Sequence, residues 1–404
     1  MTYMRSNVEI FSNKKFVLIL TDQIASRTLA YAGALIGFQF GRKVPEMVGR
    51  DQMVPMEKAE SDGTPKKRTH LGITTQNLPV LNGLGYESMR AIRDSLREEK
   101  SLLVTEVTDA AATCATYDDY AKAIATTPAA DTNYWGIGIF GDAAIINKYT
   151  QGLKLYGNQP KIPNSDSTLP ERRLIGGAAD LPTIRLILAN NLPGGVLANT
   201  AAILGVTYAK LFGDSLFGPD LMDRSGQMNL GLPMIDLAIL NGHSDTNLAI
   251  RTLRENLHAE LPLSVVDVTD ATGKTRCYED YLTLAENTPV LETAYWGVGV
   301  CGSADLVLEQ TADFGLYITS AEEQALLKKQ KAAEKLEARK AAVGGKEGGA
   351  VGKSGASAFK EAAVKGGLGW QKKLSAVVGQ VDAVSLDDDQ KTLASACGQS
   401  SLPS

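Results

Sequence analysis

Histidine and cysteine are scarce in this chain of 404 residues, which holds three of the first and four of the second. His70, His243 and His258 show no i, i+4 pairing, so no metal site is expected from pattern, and each reads as an isolated surface side chain. Cys114, Cys277, Cys301 and Cys397 form no C-x-x-C pair, which argues against a zinc ribbon and against a disulfide framework. They are expected to be reduced thiols. By inspection no stretch carries the roughly 20 apolar residues of a membrane span, and the opening MTYMRSNVEIFSNKK has no long apolar run of the kind found in secretory signals. The expected location is therefore the cytoplasm. A G-x-S-x-G elbow, the usual marker of a serine-hydrolase triad, is missing as well. GGAVGKS in the C-terminal part has three residues between its outer glycines where a phosphate-binding P-loop needs four. No cofactor is expected.

Positive charge is also in short supply. Residues 1–319 hold 28 Lys and Arg against 36 Asp and Glu, while residues 320–404 hold 13 against 10. Nucleic-acid binding rests on neutralising phosphates with a basic surface, so a nucleic-acid partner is not expected. The cationic stretch PKKRTH (65–70) reads as a solvated turn.

What the chain does have is repetition. YWGIGIFG (134–141) returns 161 residues later as YWGVGVCG (295–302), and the same offset carries EVTDAA onto DVTDAT and Tyr117-Asp-Asp-Tyr120 onto Tyr278-Glu-Asp-Tyr281. Upstream the offset changes, with LILTDQIASRTLAYAGALIG (18–37) matching LILANNLPGGVLANTAAILG (186–205). One unit is written twice. The expected organisation is a first repeat over 14–157, a Pro/Gly/Ser-rich linker over 158–181, a second repeat over 182–319, and a charged helix with a flexible tail over 320–404. Ser320 and Glu323 suggest a capping box at the start of that helix. Within each copy, strands alternate with helices, which implies an α/β architecture with a mostly parallel sheet.

G-x-G-x-x-G in the repeated octapeptide raises the question of a dinucleotide cradle. Such a fingerprint follows a strand and opens a helix at the start of a βαβ unit. Here apolar residues stand between the glycines and the segment is the last strand of each copy. Gly136 and Gly138 are therefore expected inside a strand, where the lack of a side chain lets a neighbour approach closely.

IGIFGDAAIINKYTQGLKLY resembles the closing strand, helix and tail of the type 2 peptidyl-tRNA hydrolases, with Asn147, Lys148, Thr150, Leu153, Lys154 and Leu155 on the pattern. GITTQNLPVL and the Asn199-Thr-Ala-Ala202 helix resemble more closely the related family called domain of unknown function 2000. The resemblance covers about 140 residues per copy. It implies two tandem three-layer α/β sandwiches with mixed, mostly parallel sheets. Members resembling this chain carry a Gly-Lys-x-Ala-x-Gln signature on the first helix and an Asp-Ala-Gly-x-Thr turn, in which the lysine meets phosphate or an oxyanion and the aspartate orients water or moves a proton. Asp109 and Thr113 fall on the turn, whereas the second copy keeps Asp270-Ala271 and brings Thr275 one place late. The lysine is replaced by Thr28 and Val196, which carry no charge.

The implied candidates are thus Asp109, Thr113, Asp270 and Thr275 for catalysis, and Asn199, Asn191, Tyr31, Tyr117 and Tyr278 for ligand binding. With the lysine gone, the expected function is a small-ligand or protein-binding protein in which the two repeats form an intramolecular pseudo-dimer, without peptidyl-tRNA hydrolysis. One alternative is a hydrolase of altered specificity acting on an amide or ester. Another is an exported bacterial effector, since the DDD cluster near the C-terminus resembles type IV translocation signals; a disordered end is the plainer reading.

Overall fold

A computed structural model of the protein describes residues 11–59, 65–157, 169, 173–174, 181–190, 192–242, 248–257 and 262–319, together with positions 321, 322, 325 and 328. Asn191, His243, His258, Ser320, Glu323, Cys397 and, those four positions aside, the C-terminal tail lie outside the described residues.

The first repeat runs β1 (Lys14–Thr21), α1 (Ser26–Lys43), β2 (Gln52–Ala59), β3 (Pro65–His70), β4 (Val80–Leu84), α2 (Tyr86–Leu96), β5 (Leu103–Thr108), α3 (Ala110–Thr113), α4 (Tyr117–Thr126), β6 (Tyr134–Asp142), α5 (Ala143–Thr150) and β7 (Lys154–Leu155). β8 (Arg173–Leu174) precedes the second repeat, which runs β9 (Thr183–Leu188), α6 (Gly194–Phe212), β10 (Leu221–Met222), β11 (Met228–Asn229), β12 (Asp236–Asn241), α7 (Leu248–Asn256), β13 (Ser264–Thr269), α8 (Ala271–Lys274), α9 (Tyr278–Asn287), β14 (Tyr295–Gly302) and α10 (Ala304–Gln310).

Two five-stranded mixed sheets result, ordered β5-β6-β1-β4-β7 and β13-β14-β9-β12-β8. Within the first, only β1 and β4 run parallel; β6 lies antiparallel between β1 and β5, and β7 is antiparallel to β4. The expectation of mostly parallel sheets is therefore corrected. Alternation of strands and helices sets the order of elements, but the short α3–α4 connection returns β6 beside β5 in the opposite direction, a choice that periodicity does not encode. β8, from the expected linker, pairs with the edge of β12 at Asp236 and Leu237.

α1 and α6 are buried along nearly their whole length and pack against each other. Their sequences explain how closely. Gly33, Gly37 and Gly41 recur every four residues on α1, so they line one face; a Cβ at these positions would lie 2.6, 2.1 and 2.3 Å from the carbonyl oxygens of Ala198, Ala202 and Val206. Three glycines inside a helix cost about 1 kcal/mol each in propensity, and close backbone packing along the seam offsets that cost. Phe16, Leu18 and Leu20 of one sheet and Leu186 and Leu188 of the other share a single apolar core with these helices. The outer face of the first sheet buries Val17, Ile19 and Ile137 under α2 and α5 in a second cluster. Residues 194–216 are long and apolar enough, with mean hydropathy 1.3, to cross a membrane by length and composition, contrary to the expectation from sequence; 67 % of this stretch is buried inside the protein as a core helix.

The repeated glycines lie where the strand reading places them. Gly138 pairs with Leu18 in mid-strand, and a Cβ there would meet Ile36 at 2.5 Å and Phe40 at 2.7 Å. The corresponding Cβ at Gly299 would meet the Tyr208 ring at 2.6 Å. Each site is roofed by a central helix, leaving no room for a pyrophosphate.

PKKRTH is not a solvated turn. It forms β3, the second strand of a hairpin with β2, and this arm reaches out of the first repeat onto the second: Gln52 Nε2 donates to the Leu282 carbonyl at 3.0 Å, and Arg68 Nη2 to Tyr295 Oη at 2.7 Å. The β10–β11 hairpin reaches back, with Arg93 Nη2 2.5 Å from Asp223 Oδ2 and Arg97 Nη2 3.2 Å from the Ser225 carbonyl. The two repeats thus exchange arms. Two tyrosines fasten the exchange: Tyr117 Oη donates to the Pro219 carbonyl at 2.6 Å, and Tyr278 Oη to the Arg50 carbonyl at 2.9 Å. Capping at the C-terminal end of the described chain falls one residue earlier than expected, between Thr319 and Glu322.

Candidate functional site

Exchange of arms creates two kinds of space. Beneath each arm lies a small polar crevice holding the buried ion pairs. A larger cleft opens between the first repeat's 71–79 loop, the N-terminal half of α6, and the α8–α9 corner.

The crevice under the first repeat's arm is about 50 Å³, room for a few waters. Asp267 is its charge centre. Its Oδ2 is 2.6 Å from Arg254 Nε and 3.5 Å from Arg68 Nη2, and its Oδ1 pairs with His70 Nδ1. His70 Nε2 lies 2.5 Å from Tyr281 Oη, and Arg68 also pairs with Glu255. His70 is therefore a buried link between the repeats, not an isolated surface side chain. Burial alone would raise the Asp267 carboxyl, but His70, Arg254 and Arg68 outweigh it and hold the group well below the usual carboxylate range. Burial pushes the Tyr281 phenol well up, with Asp267 adding to the effect.

The twin crevice, about 40 Å³, is built from different residues. Glu106 takes the place of Asp267 and Arg93 that of Arg254, while Gln227 and Asn229 stand for Arg68 and His70. Arg93 Nε sits 3.2 Å from Glu106. With one cation shared between Glu106 and Asp223, burial wins and the Glu106 carboxyl is pushed up.

The four expected catalytic residues do not form a working pair in either copy. Asp109 Oδ2 accepts from Asn133 Nδ2 at 2.9 Å at the twin crevice beside Glu106, while the Thr113 hydroxyl, exposed, donates to the backbone carbonyl of Asp109 at 3.2 Å. Asp270 borders the other crevice and is tied to Lys274 at 2.6 Å. Thr275 donates to the Ala271 carbonyl at 2.8 Å and faces the large cleft with Asn199. An Asp270–Asn199 or Asp270–Thr275 partnership would span two cavities. A general base must lie within hydrogen-bond reach of the proton that it takes; here a backbone carbonyl or a lysine occupies these groups instead.

The cleft does gather Asn199, Thr275 and Tyr278 around about 770 Å³, a volume in the range of small-molecule sites. Asn199 Nδ2 donates to the Leu78 carbonyl at 2.5 Å, bracing the loop that forms the opposite wall. Its Oδ1 remains available as an acceptor. Tyr278 forms part of the floor, its phenol pushed up to about 12, first by burial. Cys277 is exposed at the cleft and caps α9: its Sγ accepts from Asp280 N at 3.5 Å, as the Thr116 hydroxyl does from Asp119 N at 3.1 Å in the twin. Capping explains why a cysteine and a threonine exchange at this position. Cys301, in contrast, is buried, and burial pushes its thiol up to about 12.

Tyr31 and Tyr117 do not reach the cleft. Tyr31 is 1 % exposed and belongs to the shared core. It occupies the place in the first repeat that Asn199 holds in the second, and the loop opposite it reads Pro233-Met234-Ile235 where the cleft has Thr74-Thr75-Gln76. These apolar counterparts are buried, apart from the half-buried Met234. Arg50, Thr74, Thr75, Gln76 and Arg276 escaped the sequence reading. A position-by-position comparison of the two copies, looking for polar residues facing apolar counterparts, would have found them. Among the described residues no three His, Cys, Asp or Glu side chains come together as a metal site.

No curated protein matches this chain. Among solved structures, a protein of unknown function from Agrobacterium tumefaciens strain C58 is similar over 35 % of this chain and 97 % of its own, at 16 % identity and a TM-score of 0.29. The family described as Protein of unknown function (DUF2000) matches residues 14–157 and again 184–317. The duplicated sequence, the two equivalent sheets and this double match together place the chain in that family, with two copies of its domain.

Proposed function

We propose that this protein binds a small ligand in the cleft between its repeats and does not hydrolyse peptidyl-tRNA. On this reading the repeats are two tandem sandwiches related to the type 2 peptidyl-tRNA hydrolase fold, fused so that each completes the other as an intramolecular pseudo-dimer. The observation that carries the proposal is the difference between the two equivalent places: one is a cleft of about 770 Å³ faced by Asn199, Thr74, Thr75 and Gln76, whereas at the other Tyr31, Pro233 and Ile235 are buried and Met234 is half-buried. Folding does not require the polar set, because the twin folds without it. A concave site with a few convergent polar groups over a partly apolar floor is what ligand binding requires. Thr28 and Val196, in place of the signature lysine, and the acidic balance of residues 1–319 support the exclusion of a tRNA substrate.

The test is native mass spectrometry of the full chain for retained small molecules, repeated on Asn199→Tyr, which places the twin's own side chain in the cleft. We expect a bound species in the parent protein and none in the variant. Turnover of peptidyl-tRNA that is abolished by Asp270→Asn or Asp109→Asn would overturn the non-hydrolytic half of the proposal.

A further inference from the structure

The charged residues lining the cleft leave it net positive, and this narrows its ligand. Resting on the cleft reading above, we infer that the ligand is a small hydroxylated organic anion, bearing a phosphate or a carboxylate, whose charged group sits between Arg50 and Arg276.

Both arginines line the cleft and both are exposed. The Arg50 carbonyl accepts the Tyr278 hydroxyl at 2.9 Å, and Arg276 stands two residues before Tyr278 at the start of α9. Neither guanidinium has an ion-pair or hydrogen-bond partner among the described residues, in contrast to Arg42, Arg68, Arg93, Arg185 and Arg254, all of which are paired with carboxylates. Among the described residues that line the cleft Glu279 is the only carboxylate, which leaves this lining with a net positive charge in a chain of net charge −5. Guanidinium donors arranged as a fork match the oxygens of phosphate or carboxylate.

The twin again supplies the control. Arg50 corresponds to Pro219 and Arg276 to Ala115; Thr272 corresponds to Ala111 and Thr275 to Cys114. The equivalent corner folds and makes the equivalent tyrosine contact, Tyr117 to the Pro219 carbonyl, with neither cation present. The two arginines are therefore not needed to hold the arm. Beyond them the walls present neutral hydroxyls and amides, namely Thr74, Thr75, Gln76, Thr272, Thr275 and Asn199. Such groups satisfy the hydroxyls of a ligand body and would leave a purely apolar body unrewarded.

The test titrates the full chain with ribose 5-phosphate, gluconate and uncharged ribose, using calorimetry together with the rate at which a maleimide labels Cys277, the exposed thiol at the cleft. Cys277→Ser identifies the signal. We expect one or both anions to bind and to slow labelling, ribose to bind at least tenfold more weakly, and the Arg50→Ala/Arg276→Ala double variant to lose at least tenfold in anion affinity while melting within a few degrees of the parent. Binding by ribose 5-phosphate alone assigns the charged group to phosphate, and binding by gluconate alone assigns it to carboxylate. The inference is overturned if neither anion binds, or if ribose binds as well as its phosphate. An uncharged molecule that is retained and shields Cys277 would overturn the anion assignment and leave the cleft standing. A ligand retained with Cys277 fully reactive and Asn199→Tyr without effect would remove both.

Discussion

Gly37→Ala is the substitution that most directly tests the packing of the two repeats. In an isolated helix the change would stabilise by about 1 kcal/mol, because alanine has the better propensity. In this protein the added Cβ would lie 2.1 Å from the Ala202 carbonyl oxygen and 2.8 Å from its Cα, where ordinary contact begins near 3.4 Å. The obstacle is backbone in the middle of a buried helix, so no rotamer change relieves it. α1 and α6 must separate by about 1 Å, and gaps of that size forfeit roughly a quarter to a half of the dispersion energy of each contact along the seam. Overpacking of this kind costs about 3 kcal/mol at the upper end of the usual range; after the gain in propensity, about 2 kcal/mol of destabilisation remains. At about 2–4 °C per kcal/mol for a large domain, the melting temperature should fall by roughly 4–8 °C. The assay is thermal unfolding followed by circular dichroism, with Gly157→Ala as control, since a Cβ there meets nothing within 4 Å. A melting temperature that stays put or rises in Gly37→Ala would falsify the close packing of the two central helices.

The buried carboxylates should respond to pH with opposite signs. Asp267 is depressed in the folded state, so its contribution is fully present above its unfolded value of about 3.9 and is lost as pH falls through the folded value; Asp267→Asn should lose about 3–5 kcal/mol near neutrality and flatten the acid limb of stability measured by urea titration. Glu106 is raised, so its ionised form costs stability at neutral pH and the cost is relieved on acidification. Glu106→Gln, which leaves Arg93 paired with Asp223, should cost less than 1 kcal/mol at pH 7; equal losses in the two variants would refute the asymmetry. Because the arms are exchanged, cutting the chain between residues 157 and 169 should leave two halves that co-elute in size-exclusion chromatography until denaturant is added, whereas halves that part at micromolar concentration would contradict it. Tyr278→Phe and Tyr117→Phe should each cost about 1 kcal/mol in urea unfolding, through the loss of the hydroxyl bond to the other repeat's backbone; no change in either would argue that these bonds do not secure the arms.

Much of this protein is written in its sequence by itself. Repetition at fixed offsets discloses the two copies, and the alternation of strands and helices within each is legible because such signals arise from local periodicity. The placement of Gly136 and Gly138 inside a strand followed from the apolar residues between them. What periodicity cannot carry is the partner across the molecule. Pro65 to His70 reads as a charged loop when judged by itself; only on the second repeat does it meet Asp267, Tyr281 and Tyr295, which turn an exposed-looking histidine and arginine into buried ones. The strand directions are decided by pairings within each repeat, and the burial of Tyr31 in the shared core and the bracing of Asn199 against the Leu78 carbonyl by packing between the repeats. The order of residues fixes which side chains are available, and long-range packing decides which of them are desolvated, paired or left facing a cavity.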